Sequence, residues 1–186
     1  MKRQALNRGY ILLGSNIDRE KNYLEALRRL ARLGMIAAVS SVYETSPIGG
    51  REGDDFYNGA VLLETDLSAR DLKRALLEIE AEMGRIRSPD RNSPRTMDLD
   101  LVLYNRDRID DGDLKIPDPL ILKRPFLAMT LAELDPEYIP PTDGRTLAEI
   151  ARSLRGNATG MRLEPAMTAR VRQVVNQTYT GEVSHA

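Results

Sequence analysis

The spacing of apolar and polar residues predicts four strands and two helices in the first part of the chain. Strand patterns cover residues 9–13, 35–43, 56–64 and 98–104. Apolar residues at helical spacing follow the first strand, and a second set follows the third strand, where Ser68 is the expected helix cap. The order βαββαβ predicts an α+β protein with a ferredoxin-like antiparallel sheet and both helices on one face.

The remaining segments predict smaller elements. Residues 105–119 carry turn signals and are expected to form a hairpin, and two helical segments separated at Pro125 are expected over 120–134. A short helix is expected at 146–154. Residues 165–186 are polar with few apolar positions, so we expect a single domain over 1–164 and an accessory or disordered C-terminal tail.

The fourth strand carries two acids on one predicted face. Alternation puts Leu99, Leu101 and Leu103 on one face of the strand. The two acids lie on the other face, together with Val102 and Tyr104. Asp98 and Asp100 would then have Cα atoms about 7 Å apart. Hard carboxylate oxygens at that separation suit a pair of Mg²⁺ ions.

A basic loop precedes this strand. Between Gly84 and the strand the chain has one acid, Asp90, and four arginines, which are Arg85, Arg87, Arg91 and Arg95. Arginine binds phosphate oxygens in a bidentate manner. An isolated Asp-x-Asp or a run of arginines is usually a solvated surface, but their conjunction predicts a site for a magnesium-bound nucleoside triphosphate and phosphoryl transfer.

Composition narrows the class of protein. The chain has 186 residues, 41% hydrophobic content, a formal net charge of −1 and no cysteine. The hydrophobic content suffices for a buried core, and the small net charge gives no general attraction to nucleic acid or membrane. The absence of cysteine excludes a disulfide framework. The apolar run at the start is too short for a signal peptide. We therefore expect a cytoplasmic protein without nucleic-acid or membrane partners, either a monomer or a homodimer.

Residues 91–100, Arg-Asn-Ser-Pro-Arg-Thr-Met-Asp-Leu-Asp, resemble the signature of the 6-hydroxymethyl-7,8-dihydropterin pyrophosphokinase family, Arg-x-Gly-Pro-Arg-Thr-x-Asp-Leu-Asp. Ser93 replaces a glycine, and Asn92 stands where many relatives have tryptophan. The resemblance extends over roughly 10–154. It implies transfer of pyrophosphate from ATP, the co-substrate, to the hydroxymethyl group of the reduced pterin in folate biosynthesis, with AMP released.

The resemblance also implies roles for individual residues. Asp98 and Asp100 would hold two Mg²⁺ ions, and the catalytic group would be completed by Arg85 and Arg95. The implied ATP-binding residues are Glu80, Arg85, Arg87, Arg91, Arg95, Leu101, Lys115, Asp118 and Arg124. Asp118 stands at a position where the family usually has histidine, and it would add negative charge beside the triphosphate.

The implied pterin-binding residues are Thr45, Ser46, Pro47, Ile48, Phe56, Asn58 and Phe126. By the resemblance, two rings would stack on the pterin and the Asn58 amide would bind its edge. Phe56 and Phe126 are the chain's two phenylalanines, and flat heteroaromatic ligands favour stacking between rings. A single phenylalanine is, however, more often ordinary core.

Two other functions fit parts of the pattern. One is a regulatory ferredoxin-like module that binds Mg-nucleotide without turnover, in keeping with the departures at Asn92, Ser93 and Asp118. The other is a two-metal phosphodiester enzyme, against which the net charge of −1 argues. Formation of AMP on addition of the pterin would distinguish the pyrophosphokinase from the regulatory module.

Overall fold

The computed structural model describes residues 5–46, 55–86 and 94–180. The strands are β1 (Asn7–Ser15), β2 (Met35–Val39), β3 (Tyr43–Thr45), β4 (Phe56–Thr65), β5 (Asp98–Tyr104), β6 (Ile109–Asp111), β7 (Leu114–Ile116) and β8 (Met161–Leu163). The helices are α1 (Arg19–Leu30), α2 (Ala69–Glu82), α3 (Pro125–Leu134), α4 (Leu147–Leu154) and α5 (Pro165–Thr180), with 3₁₀ turns at Pro119–Leu122 and Arg155–Asn157.

The main sheet has the strand order β5-β1-β4-β3-β8, and β2 pairs with another part of β4. All its ladders are antiparallel, which confirms the predicted mixed architecture with an antiparallel sheet. The strand expected over 35–43 is divided into β2 and β3. Ser40 lies between them, and its hydroxyl accepts a hydrogen bond from the Ala60 amide at 2.8 Å, so a side chain replaces one ladder contact there.

Helices cover both faces of the sheet. On one face α1, α2 and α5 enclose the larger apolar cluster, and on the other face α3, α4 and the first 3₁₀ turn enclose a second cluster. Leu72, Leu76 and Ile79 form the buried stripe of α2 at the spacing expected of an amphipathic helix. Ser68 caps this helix as predicted, because its hydroxyl accepts from the Asp71 amide at 3.1 Å.

β5 does not keep one alternation along its whole length. Its register with β1 shifts between Tyr10 and Ile11, and beyond the shift Leu103 lies in the cluster under α3 while Tyr104 joins the larger cluster. The prediction that Leu103 shares the face of Leu99 was therefore wrong, as was the face predicted for Tyr104. A bulge adds one residue to a strand and exchanges the faces of the residues after it.

The segment predicted to be a tail contains a packed helix. In α5, the buried residues Met167, Val171 and Val174 belong to the larger cluster, and the helix packs against α1 and β2. Of the two alternatives expected for this segment, the structure has an ordered helix over 165–180, because three apolar residues on one face of a polar helix suffice to bury that face. An accessory role for the segment stays a prediction. Residues 181–186 lie outside the described part of the chain.

Candidate active site

Three adjacent strands bring the predicted metal and pterin residues to one face of the sheet. Gly14 of β1 pairs with Asn58 of β4 on one side and with Asp98 of β5 on the other, and directly paired residues of antiparallel strands point to the same face. A Cβ atom at Gly14 would lie 3.1 Å from Asn58 Oδ1 and 3.9 Å from Asp98 Cβ. The glycine therefore leaves open the space between the amide and the carboxylate of this Asn58–Gly14–Asp98 row.

Two arginines hold the Asp98 carboxylate. Arg95 Nη1 donates to Asp98 Oδ2 at 2.6 Å, and Arg85 Nη1 donates to Asp98 Oδ1. The three side chains are about one-fifth exposed, between 18% and 21%, which strengthens these charge-assisted hydrogen bonds. The structure thus brings together three of the four predicted catalytic residues. A cation that binds Asp98 would compete with these guanidinium groups for the carboxylate oxygens.

Asp100, the fourth predicted catalytic residue, has a different environment. Lys73 Nζ of α2 lies 3.7 Å from Asp100 Oδ1. The pKa of Asp100 is raised above its ordinary value, by desolvation and by repulsion from the Asp98 carboxylate, and Lys73 opposes the rise. The Asp100 side chain is nearly half accessible to solvent, 48%. Two carboxylates that repel each other favour a shared cation.

Lys73 was not among the predicted site residues. Its position on α2, next to the buried Leu72, is visible in the sequence. The packing of α2 against the outer edge of β5, which brings the ammonium group to Asp100, is not a local property.

Glu80 is buried, with 2% of its surface exposed. Its Oε1 accepts from the Leu99 amide at 2.7 Å and lies 2.5 Å from Arg85 Nη1. Burial raises the pKa of Glu80 to about 7, and the Leu99 amide and Arg85 limit the rise. The direct contact with ATP that the resemblance implied does not fit this burial. In this structure Glu80 positions Arg85 and the edge of β5.

Leu101 also departs from its implied role. Its side chain is 5% exposed and belongs to the larger apolar cluster, on the face of β5 opposite the acids. Contact between ATP and this side chain is therefore not supported.

The turn after β1 positions the loop that carries Arg95. Asn16 Oδ1 accepts from the Arg95 amide at 2.8 Å, and the Ser15 hydroxyl donates to the Thr96 carbonyl at 2.6 Å. Ser15 and Asn16 are buried. The sequence signal for these positioning residues was a pair of polar residues directly after an apolar strand, but we did not predict them to be site residues.

The pterin-binding residues implied by the resemblance lie beside this turn. Asn58 Nδ2 donates to Thr45 Oγ1 at 2.7 Å across the β3–β4 ladder. The Arg95 guanidinium lies 5.9 Å from the centroid of the Phe56 ring. Phe126, in α3, is partly buried against the apolar cluster that covers the same face of the sheet, and Ser46 is exposed directly after β3.

The other predicted residues are more widely spread. Asp118 Oδ1 accepts from the Leu120 amide at 2.8 Å, and its charge adds to the rise in the pKa of Asp100. Lys115 Nζ lies 3.6 Å from Asp110 in the β6–β7 hairpin, and Arg124 directly precedes α3. Four predicted residues lie outside the described part of the chain: Pro47, Ile48, Arg87 and Arg91.

The acid pair fits magnesium better than a metal with a full set of protein ligands. Within residues 5–46, 55–86 and 94–180, no group of three or more acidic, histidine or cysteine side chains is arranged to hold a metal. Mg²⁺ usually takes one or two carboxylates and completes its shell with water and substrate phosphates. In the same ranges, no helix has the length and apolar character needed to cross a membrane.

Two carboxylates with surrounding guanidinium groups favour a metal-bound polyphosphate, and an adjacent ring and amide favour a flat polar acceptor. These features define the class of the protein as a phosphoryl or pyrophosphoryl transferase.

Comparison with known proteins gives the family. Residues 10–136 match the family of 7,8-dihydro-6-hydroxymethylpterin-pyrophosphokinase (HPPK). The 2-amino-4-hydroxy-6-hydroxymethyldihydropteridine pyrophosphokinase of Bacillus subtilis is 40% identical over 131 residues, which cover 69% of this chain and 78% of that protein. The protein of the same name from Pseudomonas aeruginosa is 38% identical over 149 residues, 78% of this chain and 90% of that protein.

Longer proteins also match. The folic acid synthesis protein FOL1 of Dictyostelium discoideum is 37% identical over 161 residues, 86% of this chain, but the chain spans only 24% of that protein. The wild-type HPPK-DHPS of Plasmodium falciparum, crystallised with pteroate, is 13% identical with a TM-score of 0.69, covering 85% of this chain and 48% of that one. This second likeness shows the fold.

The chain belongs to the HPPK family. The family and the names of the relatives confirm the predicted class of enzyme, an ATP-dependent pyrophosphokinase that acts on hydroxymethyldihydropterin in folate biosynthesis.

Proposed function

We propose that this chain transfers the β,γ-pyrophosphoryl group of ATP to the hydroxymethyl oxygen of 6-hydroxymethyl-7,8-dihydropterin at the site on β1, β4 and β5, with release of AMP. The observation that carries this proposal is the Asn58–Gly14–Asp98 row. Two strand spacings separate Asn58 from Asp98, or about 10 Å between Cα atoms. A pterin whose ring edge binds the Asn58 amide would reach towards the acid pair with its hydroxymethyl group.

The acid pair would hold the metal. Asp98 and Asp100 would bind two Mg²⁺ ions, which supply charge neutralisation and alignment for the triphosphate. Arg85 and Arg95, which bind Asp98 in this structure, would donate to phosphate oxygens once a cation occupies that carboxylate. Lys73 would hold Asp100 in place until then.

Other residues would bind the two substrates. Phe56 and Phe126 would stack on the pterin, and Asn58 would bind its polar edge while Thr45 fixes the amide. The remaining nucleotide contacts are proposed for Arg87, Arg91, Lys115, Asp118 and Arg124, and the remaining pterin contacts for Ser46, Pro47 and Ile48. Exclusion of water by the arginines would protect the transferred group from hydrolysis.

The finer structural assignments are part of the same proposal. We assign the sheet to the ferredoxin-like type, because the strands over 7–15, 35–45, 56–65 and 98–104 lie in the spatial order four, one, three, two. We further propose that residues 1–164 form a single catalytic domain onto which α5 packs, and that the enzyme acts in the cytoplasm as a monomer.

The test is product analysis with ATP, Mg²⁺ and the reduced pterin. Formation of AMP and pterin diphosphate in equal amounts is the expected result. Formation of ADP, or binding of Mg-ATP without turnover when the pterin is present, would contradict the proposal, and the second outcome would favour the regulatory module.

A further inference from the structure

The C-terminal strand β8 lies beyond the residues that match the HPPK family, 10–136, but it pairs with a strand of the candidate pterin site. β3 pairs on one side with β4 and on the other with β8. Thr45 is opposite Phe56 in the first ladder and opposite Met161 in the second. β8 therefore makes β3 an interior strand, which would otherwise be a three-residue edge.

A buried carboxylate connects the two ladders. Glu44, the middle residue of β3, has a side chain that is 10% exposed. Its Oε2 accepts from Arg19 Nη2 at 2.7 Å, and its Oε1 accepts from Arg162 Nη2 of β8. A buried charge is costly unless it is paired and hydrogen-bonded, and here each guanidinium group binds one of the two Glu44 oxygens.

Arg19 extends the same cluster to the start of β4. Its Nη1 donates to the Asp55 carbonyl at 2.7 Å, and its guanidinium lies 4.0 Å from the centroid of the Tyr57 ring. Asp55 and Tyr57 flank Phe56, a predicted pterin-stacking residue. The Arg19–Glu44–Arg162 cluster thus contacts both strands that carry the pterin residues.

The residue before β3 is also held by the C-terminal segment. The Val42 amide donates to Thr168 Oγ1 at 2.9 Å, and the Val42 carbonyl accepts from the Glu164 amide at 2.9 Å. Both polar backbone groups of this buried residue are therefore satisfied by residues outside the region that matches the family.

We propose that Arg162 is a positioning residue for the pterin. Through Glu44 it holds β3 in register with β4, so that Thr45 Oγ1 accepts from Asn58 and fixes the amide that binds the pterin edge. Residues after the family-matched region would then control pterin affinity without contacting the pterin and without changing the metal-nucleotide part of the site. This inference rests on the proposed function, since it assigns Asn58 to the pterin.

A double-mutant cycle tests the inference in the full chain. Arg162→Ala should raise the KM for pterin about threefold or more, while kcat and the KM for ATP change less than about twofold. In a Glu44→Gln background the same Arg162 substitution should have little further effect, because the carboxylate that it acts through is gone. Arg162→Lys should restore part of the pterin affinity.

The matched control is Arg172→Ala, which removes an exposed arginine from α5 in the same C-terminal segment. This variant should keep the wild-type KM for pterin. Melting temperatures within about 2 °C of each other for the two Ala variants would exclude a general loss of stability as the cause.

Three outcomes with the variants would overturn the inference. An unchanged KM for pterin in Arg162→Ala would do so while leaving the proposed function intact. Equal weakening of ATP and pterin would show a general structural role, and additive effects in the double mutant would show that Arg162 does not act through Glu44. If the wild-type enzyme forms no AMP with the pterin, the proposed function fails first, and this inference fails with it.

Discussion

At the scale of single residues, the Asp98 carboxylate binds arginines in this structure and is also the proposed ligand of a cation. Both its oxygens accept from arginines here, Oδ2 from Arg95 at 2.6 Å and Oδ1 from Arg85. In the proposed function a cation would compete with the two guanidinium groups for the same oxygens, so metal binding would be coupled to their release. The arginines would then be available to the phosphates of the nucleotide.

Removal of either acid should abolish turnover. Asp98→Asn and Asp100→Asn each keep the side-chain volume but lose a charged metal ligand, so kcat should fall by about 100-fold or more. Steady-state rates at saturating Mg²⁺, with circular dichroism to establish folding, are the measurements.

Asp66→Asn is the control for these variants, because it removes an exposed acid from the turn after β4, and it should leave kcat unchanged. A rate above about a tenth of wild type in either site variant would contradict the metal-ligand role.

Glu80 should make the stability of the protein depend on pH. Burial raises its pKa from 4.5 to about 7, although the positive Arg85 opposes the rise and the negative Asp98 and Asp100 add to it. The folded protein thus holds this proton more tightly than the unfolded chain does. The contribution is complete below about pH 4.5 and is lost as the pH rises through about 7.

The free energy of unfolding of the wild type should therefore exceed that of Glu80→Gln by more at about pH 5 than at about pH 8.5. Urea denaturation of the metal-free protein at the two pH values measures this difference. A difference that does not change with pH would show that Glu80 has an ordinary pKa.

At the scale of the elements, the site depends on how three strands are paired. The Asn58–Gly14–Asp98 row exists because β1 lies between β4 and β5 and pairs with both. Each strand supplies one residue of the row, and the central residue, Gly14, has no side chain. The proposed pterin part and the proposed metal part are therefore separated by an open strip of backbone.

A methyl group in this strip should weaken pterin binding. In Gly14→Ala the new Cβ would lie 3.1 Å from Asn58 Oδ1, closer than ordinary contact, but 3.9 Å from Asp98 Cβ, an ordinary distance. The Kd for pterin should rise about fivefold or more, about 1 kcal/mol, and the Kd for an Mg-ATP analogue should change little.

Gly144→Ala is the matched control, because no atom lies within 4 Å of a Cβ at that position, and it should bind both ligands as the wild type does. Equal weakening of pterin and nucleotide by Gly14→Ala would mean that the strand itself is displaced.

The two phenylalanines should contribute to pterin binding to a similar degree but to stability differently. Phe56→Ala and Phe126→Ala should each raise the Kd for pterin about tenfold, about 1.4 kcal/mol, through loss of stacking. Only Phe126 also packs against an apolar cluster, so its variant should show the larger fall in melting temperature. Calorimetric titration measures the pterin affinity, and thermal unfolding measures the stability. A variant with unchanged pterin affinity would show that its phenylalanine serves packing alone.

At the scale of the whole molecule, the C-terminal helix α5 completes the core on one face of the sheet. Met167, Val171 and Val174 belong to the same apolar cluster as α1 and α2. The apolar core on this face thus includes a segment that is separated in sequence from most of the residues it packs against.

Truncation of an α5 core residue should destabilise the entire protein. Met167 is 3% exposed, and Met167→Ala should lower the free energy of unfolding by about 2–5 kcal/mol. Arg172→Ala, on the exposed side of the same helix, should change it by less than about 0.5 kcal/mol. Chemical denaturation monitored by circular dichroism distinguishes a core helix from an appended one, for which both variants would be equally stable.

Local patterns along the chain were sufficient for much of the fold and for the placement of the acid pair on one face of β5. Apolar spacing predicted the strands and helices up to 104, and Ser68 predicted a cap that the structure contains. Alternation predicted that Asp98 and Asp100 share a face, away from Leu99. These features depend on residues within one element, so their physical causes are present in the sequence of that element.

Contacts between distant parts of the chain decided the rest. The bulge that reverses the faces of Leu103 and Tyr104 depends on the register between β1 and β5. The burial of Glu80 and the approach of Lys73 to Asp100 depend on how α2 packs against β5. Arg162 and Glu44 are 118 residues apart in sequence, and no periodic pattern encodes such a pairing, because it arises only when the folded sheet makes β8 and β3 neighbours.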